Sequence, residues 1–483
     1  MNRRQHLRSL AGAGDTVHKG NGENTIHGRI GLRDVLARIR SVAAQRRTDC
    51  VTRPHRNGSA GPTMVCVVRP PGSHCAGSRA PLLNEADSRT LPISMSSRTT
   101  DSSSRDGANL SPPAAAPDDF DATEPGREAR RATTAGTYRL EERTTGRLAD
   151  FRRTLPRNLA ASALGIGTYL GDCTDEEDAA YARTIRAAVK SGVNVLDTAI
   201  NYRCQRSERA VGHAVVEAIA SGEARRDELI ICTKGGYVAL DGAPPTSRDA
   251  YDLWLETEMF ASGLVTREEL VRGGHSIAPR YLAHQLERSR ANLGVRTIDL
   301  YYLHNPEEQL LAVDRATFRQ RMRAAFAMLE ERAASGEIAG YGCATWNGFR
   351  VSPEHRQHLT LADLIALARE VGGTTHHFRA VQLPVSLAMP EAARLATQPL
   401  GRKLVPLLEA ADALGVGVVA SAPLMQGRLT TGLPDEMHDL FPGCATDAQR
   451  ALRFASSLPG VSVVLTGMRR REHLVENLDA WRN

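Results

Sequence analysis

The sequence predicts an α/β fold, a (β/α)8 barrel with a long insertion after its third strand and a disordered N-terminal extension. Three observations predict it. Short β-branched apolar runs alternate with helix-period segments eight times between about residue 136 and residue 483. All 22 aromatic residues lie at or after Phe120, so the first 119 positions lack the side chains that dominate a core. Residues 1–60 carry 12 Lys and Arg against four acids, a surplus of eight against a chain total of +6; the remaining residues sum to −2. The basic character therefore belongs to a tail and the folded part is near neutral.

Residues 1–135, rich in Ser, Arg, Pro, Gly and Ala, form the expected extension, with a short helix near 32–44. Met64 and Met95 are alternative starts within it. The expected strands are 163–168, 193–198, 229–234, 298–304, 339–345, 380–383, 416–421 and 461–466. Helices are expected near 175–191, 207–221, 279–293, 318–335, 352–371, 402–414, 446–457 and 470–481. Gly192-Val193, Gly415-Val416 and Gly460-Val461 punctuate helix-to-strand joints as C-cap glycines do. Eight successive units favour a closed barrel over an open sheet. The segment 136–160 is then free to cover the barrel's bottom. The insertion, 237–277, contains a helical pattern and a capping box at Thr266-x-x-Glu269. It leaves the carboxyl end of a strand and is expected to lie over the mouth as a lid.

Other function classes fall away. There is no run of 18 apolar residues to span a membrane and no apolar h-region for secretion. The eight cysteines show no metal spacing and read as reduced thiols of a cytoplasmic protein, with no metal site. The basic tail lacks interleaved aromatics, which argues against a nucleic-acid partner. The glycine cluster GIGTYLG fails as a dinucleotide fingerprint, because its third glycine is one residue late and no acid follows about 20 residues on.

Barrel active sites sit at the carboxyl ends of the strands. Asp197 ends the second strand, with Tyr202 five residues later; Lys234 ends the third and His304 the fourth. Singly, each has an ordinary structural reading, as a loop cap, a packed aromatic or a core histidine. Lys234 is the hardest to read that way. Of 61 basic residues only four are lysine (Lys19, Lys190, Lys234, Lys403), so one that follows Ile-Ile-Cys-Thr sits where a guanidinium does not serve. Its burial calls for a carboxylate. An ammonium beside a phenol lowers the phenol's pKa, and a nearby histidine can polarise a carbonyl oxygen. The set suits a tuned proton donor for a carbonyl; side chains cannot supply the hydride, for which a nicotinamide is expected.

The motifs GIGTY, NVLDTAINYRCQRSERAVG, ICTKGG, IDLYYLHNPE, GEIAGYGCATW, VQLP, SAPLMQGRL and VVLTGMRRREHLVENL occur in this order. Over residues 136–483 the chain resembles the aldo-keto reductase family, which implies a (β/α)8 TIM barrel with NAD(P)H across its mouth. The resemblance implies Tyr202 as proton donor, Lys234 and Asp197 as its tuning pair, and His304 at the carbonyl. It also implies that Asp197 touches the nicotinamide ribose and Gln382 the carboxamide, with Gly167, Thr168 and Tyr169 near the ring. The 424–429 loop, with Leu424 and Gly427, would cross the pyrophosphate. Arg469, Glu476 and Asn477 would surround the adenosine end, the arginine favouring NADP while leaving NAD open.

Three departures stand out. Ala344-Thr345 replaces the usual Ser-Asn on the fifth strand, leaving Thr345 one hydroxyl for the carboxamide. Ser421 stands where an aromatic often stacks on the ring. The Lys234–His304 interval is 70 residues, about twice the family habit. With the chain ending at Asn483, just after the last helix, Tyr251, Trp254 or Phe260 of the insertion is expected to shape the substrate pocket, beside Tyr169 and Trp346; packing of the insertion against itself is the alternative. The resemblance implies reduction of an aldehyde or ketone. Oxidation of a sugar hemiacetal, suggested by HNPE, and non-catalytic nicotinamide binding are the alternatives. The expected partner is a small carbonyl or sugar molecule.

Overall fold

The computed structural model describes residues 130–144, 148 and 150–482. The expected extension up to residue 129, including the helix near 32–44, lies outside the described residues.

The strands in chain order are β1 (Arg152–Leu155), β2 (Leu159–Ser162), β3 (Leu164–Gly167), β4 (Val195–Asp197), β5 (Ile230–Gly235), β6 (Leu300–His304), β7 (Tyr341–Ala344), β8 (Phe378–Pro384), β9 (Gln398–Leu400), β10 (Lys403–Val405), β11 (Gly417–Ser421) and β12 (Val461–Gly467). Eight of them close a parallel barrel in the order β3-β4-β5-β6-β7-β8-β11-β12, with β12 pairing back onto β3. Helices α1 (Thr134–Thr144), α2 (Asp175–Lys190), α3 (Arg206–Ala220), α4 (Arg248–Trp254), α5 (Pro279–Leu293), α6 (Arg315–Ala334) and α7 (Leu361–Gly372) accompany the first half. Barrel strands are apolar nearly throughout because they are covered on both faces. All six residues of β5 are buried, Lys234 among them.

The bottom of the barrel is closed by α1 and the antiparallel β1–β2 hairpin. Leu155, Leu159 and Ala161 of the hairpin join Val195, Ile230, Leu300, Val463 and Leu465 of the barrel in one core. The fold begins slightly before residue 136: Ala132 is fully buried and its N–H donates to Asp299 Oδ1 at 2.6 Å. Asn194 stitches the hairpin on. Its Oδ1 accepts from the Ser162 N–H at 2.8 Å, and its Nδ2 donates to Ala160 O at 2.8 Å.

Two helices differ from expectation for local reasons. The segment expected to be helical from 352 stays in turns until Thr360, whose hydroxyl accepts from the Asp363 N–H at 3.2 Å and caps α7. The run Glu354–His358 has no apolar face to bury. Between 398 and 405 a hairpin forms instead, turned by Gly401 at φ +61°, and a helix starts only after Pro406.

The insertion folds around its own small core of Leu255, Met259 and Val265 against Tyr281 of α5. Tyr251, Trp254 and Phe260 pack against that core, and the Tyr251 hydroxyl donates to Gly273 O at 2.7 Å. Their packing lies within the insertion and against α5, as in the alternative of an insertion folded on itself. Arg321 of α6 donates to Glu268 O at 2.8 Å, so the insertion leans on the outer helices. The capping box is present, with Glu269 accepting from the Thr266 N–H at 2.8 Å.

Asn194→Ala leaves the Ser162 N–H and Ala160 C=O buried without this partner. The expected loss is about 1–3 kcal/mol of stability, read as a lower thermal midpoint with ligand binding at the opposite rim unchanged. An unaltered midpoint would contradict the stitching role.

Candidate active site

Because all eight barrel strands run the same way, their carboxyl ends share one rim, and Asp197, Lys234 and His304 end three neighbouring strands there. Lys234 is 1 % exposed. Its Nζ donates to Asp197 Oδ1 at 2.5 Å and to Thr198 O at 2.8 Å, and lies 5.0 Å from the centroid of the Tyr202 ring. Gln382 Nε2 donates to the other Asp197 oxygen at 2.8 Å. Burial alone lowers the Lys234 pKa; the Asp197 carboxylate outweighs that and holds it above the ordinary lysine value.

Tyr202 stands between two rings. Its ring meets His304 edge-on at 5.7 Å and Tyr169 at 5.1 Å. Burial pushes its pKa up, and Lys234 pulls it down only partly. The ammonium acts in the expected direction, but desolvation outweighs it, and the phenol is held in its protonated form. Tyr202 is placed by a turn in which Arg203, Cys204 and Gln205 all have positive φ, at 48°, 53° and 68°. Such backbone persists only where surroundings fix it. Arg203, buried, bonds Asp178 at 2.5 Å and Asp172 O at 2.8 Å, and Gln205 accepts from Asn292 Nδ2 at 3.1 Å.

His304 is kept neutral, its pKa well below the usual value through burial and the nearby Lys234. Its Nδ1 is buried and has no protein partner. Its position is set from behind by His275, whose Nε2 lies 2.7 Å from His304 O and whose Nδ1 lies 2.8 Å from Gln309 Nε2. Since the Gln309 amide nitrogen only donates, His275 Nδ1 accepts and Nε2 carries the proton. Burial lowers the His275 pKa to about 4.

The sequence reading missed Tyr237 and Asn305. Tyr237 packs edge-on to His304 at 4.9 Å, and its hydroxyl accepts from Asn305 Nδ2 at 3.0 Å. Its position directly after Lys-Gly-Gly at a strand end was the available signal. His275, 41 residues beyond Lys234 at the far end of the insertion, gave none; an isolated bridge pairs it with Tyr237.

The other expected residues lie in varied settings. A Cβ on Gly167 would meet nothing nearer than 4.0 Å, so backbone approach there is open. Thr168 is occupied structurally, its hydroxyl donating to Thr198 Oγ1 at 2.8 Å. Thr345 Oγ1 is buried with no protein partner, and the Thr345 N–H donates to Gln382 O at 2.7 Å. Ser421 ends β11, and the following loop holds Leu424 and an exposed Gly427 at φ +89°. Arg469 follows β12 and pairs with Glu177 at the start of α2. Asn477 is buried in the last helix, Arg471–Asp479, and Glu476 offers its carbonyl to Gln449. Tyr169 and Trp346 are 56 % and 46 % exposed. The Trp346 loop is held by fully buried Glu307, which accepts from the N–H groups of Trp346 and Asn347 at 2.7 and 2.9 Å. Burial raises the Glu307 pKa to about 7.

The sequence model of the Aldo/keto reductase family matches residues 163–439, more than half the chain. The chain belongs to the aldo/keto reductase family. It is an NAD(P)-dependent oxidoreductase. Aldo-keto reductase YhdN of Bacillus subtilis is 29% identical over 154 residues, 31% of this chain and 36% of that protein. D-threo-aldose 1-dehydrogenase of a Pseudomonas species is 26% identical over 332 residues, 66% of this chain and 88% of that one. The solved glycerol dehydrogenase of Gluconobacter oxydans has 20% identity and a TM-score of 0.47, covering 69% of this chain and 91% of its own. No described helix of this aldo/keto reductase is long and apolar enough to cross a membrane.

Asp197→Asn leaves the Lys234 ammonium buried without a counter-charge, at an expected cost of about 3–5 kcal/mol. The paired change Asp197→Asn with Lys234→Met should recover much of it in denaturant unfolding. A single variant as stable as the parent would mean that Lys234 is not charged in the fold.

Proposed function

We propose that this aldo/keto reductase reduces an aldehyde or ketone with NADPH, and that Tyr202 protonates the carbonyl oxygen. The observation that carries this reading is the fully buried Lys234 ammonium, paired with Asp197 on one side and in reach of the Tyr202 ring on the other. The bound dihydronicotinamide supplies the hydride. Tyr202 holds its proton at neutral pH and releases it as charge builds on the substrate oxygen, the resulting phenolate facing a fixed cation. Neutral His304 and Tyr202 flank the carbonyl oxygen, so the histidine orients it without supplying a competing charge.

The residues present fit a nicotinamide cofactor. The orphaned Thr345 hydroxyl beside the Gln382 backbone offers a contact to the carboxamide. Gly167 admits the close approach of a ring, and Asp197 would reach the ribose. Leu424 and Gly427 would line the pyrophosphate, with Ser421 below the ring. Arg469, Arg470 and Arg471 at the start of the last helix supply positive charge for a 2′-phosphate, which favours NADP. Arg469 must exchange its Glu177 partner to take part. Glu476 and Asn477 would border the adenine.

A second reading is favoured by the Tyr237–Asn305 pair beside His304, which adds polar groups where a carbonyl substrate's neighbouring atoms would lie. With the aldose dehydrogenase relative, it supports a polyhydroxylated substrate oxidised at its hemiacetal carbon by the same residues in reverse.

Tyr202→Phe should lower kcat with a carbonyl substrate by about 10²–10⁴-fold and leave NADPH affinity, read by tryptophan quenching, near that of the parent. Retention of most turnover would refute the proton-donor role.

A further inference from the structure

Trp346 stands two residues past Ala344, the last residue of β7, and Ala344 is the register partner of His304 across β6 and β7. An exposed indole therefore follows the strand end beside the histidine. Its backbone is not free. Glu307 Oε1 accepts from the N–H groups of Trp346, Asn347 and Gly348 at 2.7, 2.9 and 3.3 Å. From the other side Arg350 donates to Trp346 O at 3.2 Å, and both oxygens of Glu391 hold that guanidinium at 3.1 Å. The turn is closed by the Leu359 N–H on Gly348 O at 2.7 Å and by Asn347 Nδ2 on Gln357 Oε1 at 3.0 Å.

Glu307 is an expensive way to fasten a turn. It lies three residues after His304, is fully buried, and its second oxygen is enclosed with no protein partner. A buried carboxyl with an unpaired oxygen destabilises a fold unless something offsets it. The three N–H bonds are the offset, and what they fix is the backbone under an exposed aromatic. Oε1 can accept in the charged and the neutral carboxyl alike, so the fastening survives titration of the group. An aromatic whose position is set beforehand binds a ring with little further loss of entropy.

We propose that Glu307 is a positioning residue for the substrate. By holding the Trp346 turn, it presents the indole as a platform on which a ring-bearing carbonyl compound stacks. The class of substrate is an aldehyde or ketone with a flat or apolar ring face next to the reacting carbon. Tyr202 and His304 meet the carbonyl while the indole covers the ring. This assignment of substrate rests on the proposed carbonyl reduction, whereas the fastening of Trp346 by Glu307 does not.

The test uses the full chain with NADPH and two aldehydes, benzaldehyde and the ringless propionaldehyde. Glu307→Leu fills the space but accepts no hydrogen bond. It should raise the KM for benzaldehyde roughly 5–10-fold, with kcat at saturation and the KM for propionaldehyde little changed. Glu307→Gln keeps an acceptor oxygen and should restore most of the loss. In a Trp346→Ala chain, Glu307→Leu should add no further rise, because its effect passes through the indole. Equal rises for both aldehydes, or equal rises with and without the indole, would overturn the proposal. The fastening is read without substrate by fluorine NMR of the chain labelled with 5-fluorotryptophan, which gives one signal each for Trp254, Trp346 and Trp481. Glu307→Leu should shift and sharpen the Trp346 signal alone. An unmoved Trp346 signal would overturn the positioning role, and so would equal shifts of all three. Turnover of neither aldehyde by the parent would count against the proposed reaction, while the fluorine signals still decide the role of Glu307.

Discussion

A single lysine ammonium buried in the wall of the barrel is the constraint on which the site depends. Removing such a charge from water is costly, and the cost is offset only if the ion is paired and hydrogen-bonded. Lys234 meets that demand with Asp197 and the Thr198 carbonyl, while Gln382 satisfies the second carboxylate oxygen. These contacts tie three strands, β4, β5 and β8, to one ion pair. The same pair fixes where Tyr202 must stand and which charge it meets. Removal of any partner therefore affects folding and chemistry together.

Around that pair the chain gives up local comfort for position. Three consecutive left-handed residues follow Tyr202, and buried ionic contacts from α2 hold them. His304 is held from behind by a histidine whose tautomer Gln309 sets, and Arg321 in turn donates to Gln309 Oε1. The insertion serves the site through its two ends. Tyr237 and His275 both pack at His304, while the middle of the insertion folds on itself against α5.

Much of this was legible in the sequence for physical reasons. Barrel strands alternate with helices at a spacing that glycine C-caps punctuate, and a lysine ending an apolar strand declares its need for a carboxylate. Asp197, Tyr202, Lys234 and His304 were readable because each ends a strand or follows one closely. Less legible were features set by tertiary context. The direction of the Tyr202 pKa shift depends on burial, which residue types alone do not give. That Trp254 has neighbours forming a core of the insertion's own is visible only in the fold. His275 owes its place to a loop folding back, which no local pattern encodes. The start of α7 and the β9–β10 hairpin were misread where polar runs and Pro406 override helical period.

The compactness of the buried cation is the most direct point of attack. Lys234→Arg keeps the charge and matches the chain's general preference, but a planar guanidinium does not fit between Asp197, Thr198 and Tyr202. The decisive measurement is kcat of this variant with a carbonyl substrate at saturating NADPH, beside its NADPH affinity. The account predicts a fall in kcat of about 10²-fold or more with cofactor binding retained. Turnover equal to that of the parent would contradict it.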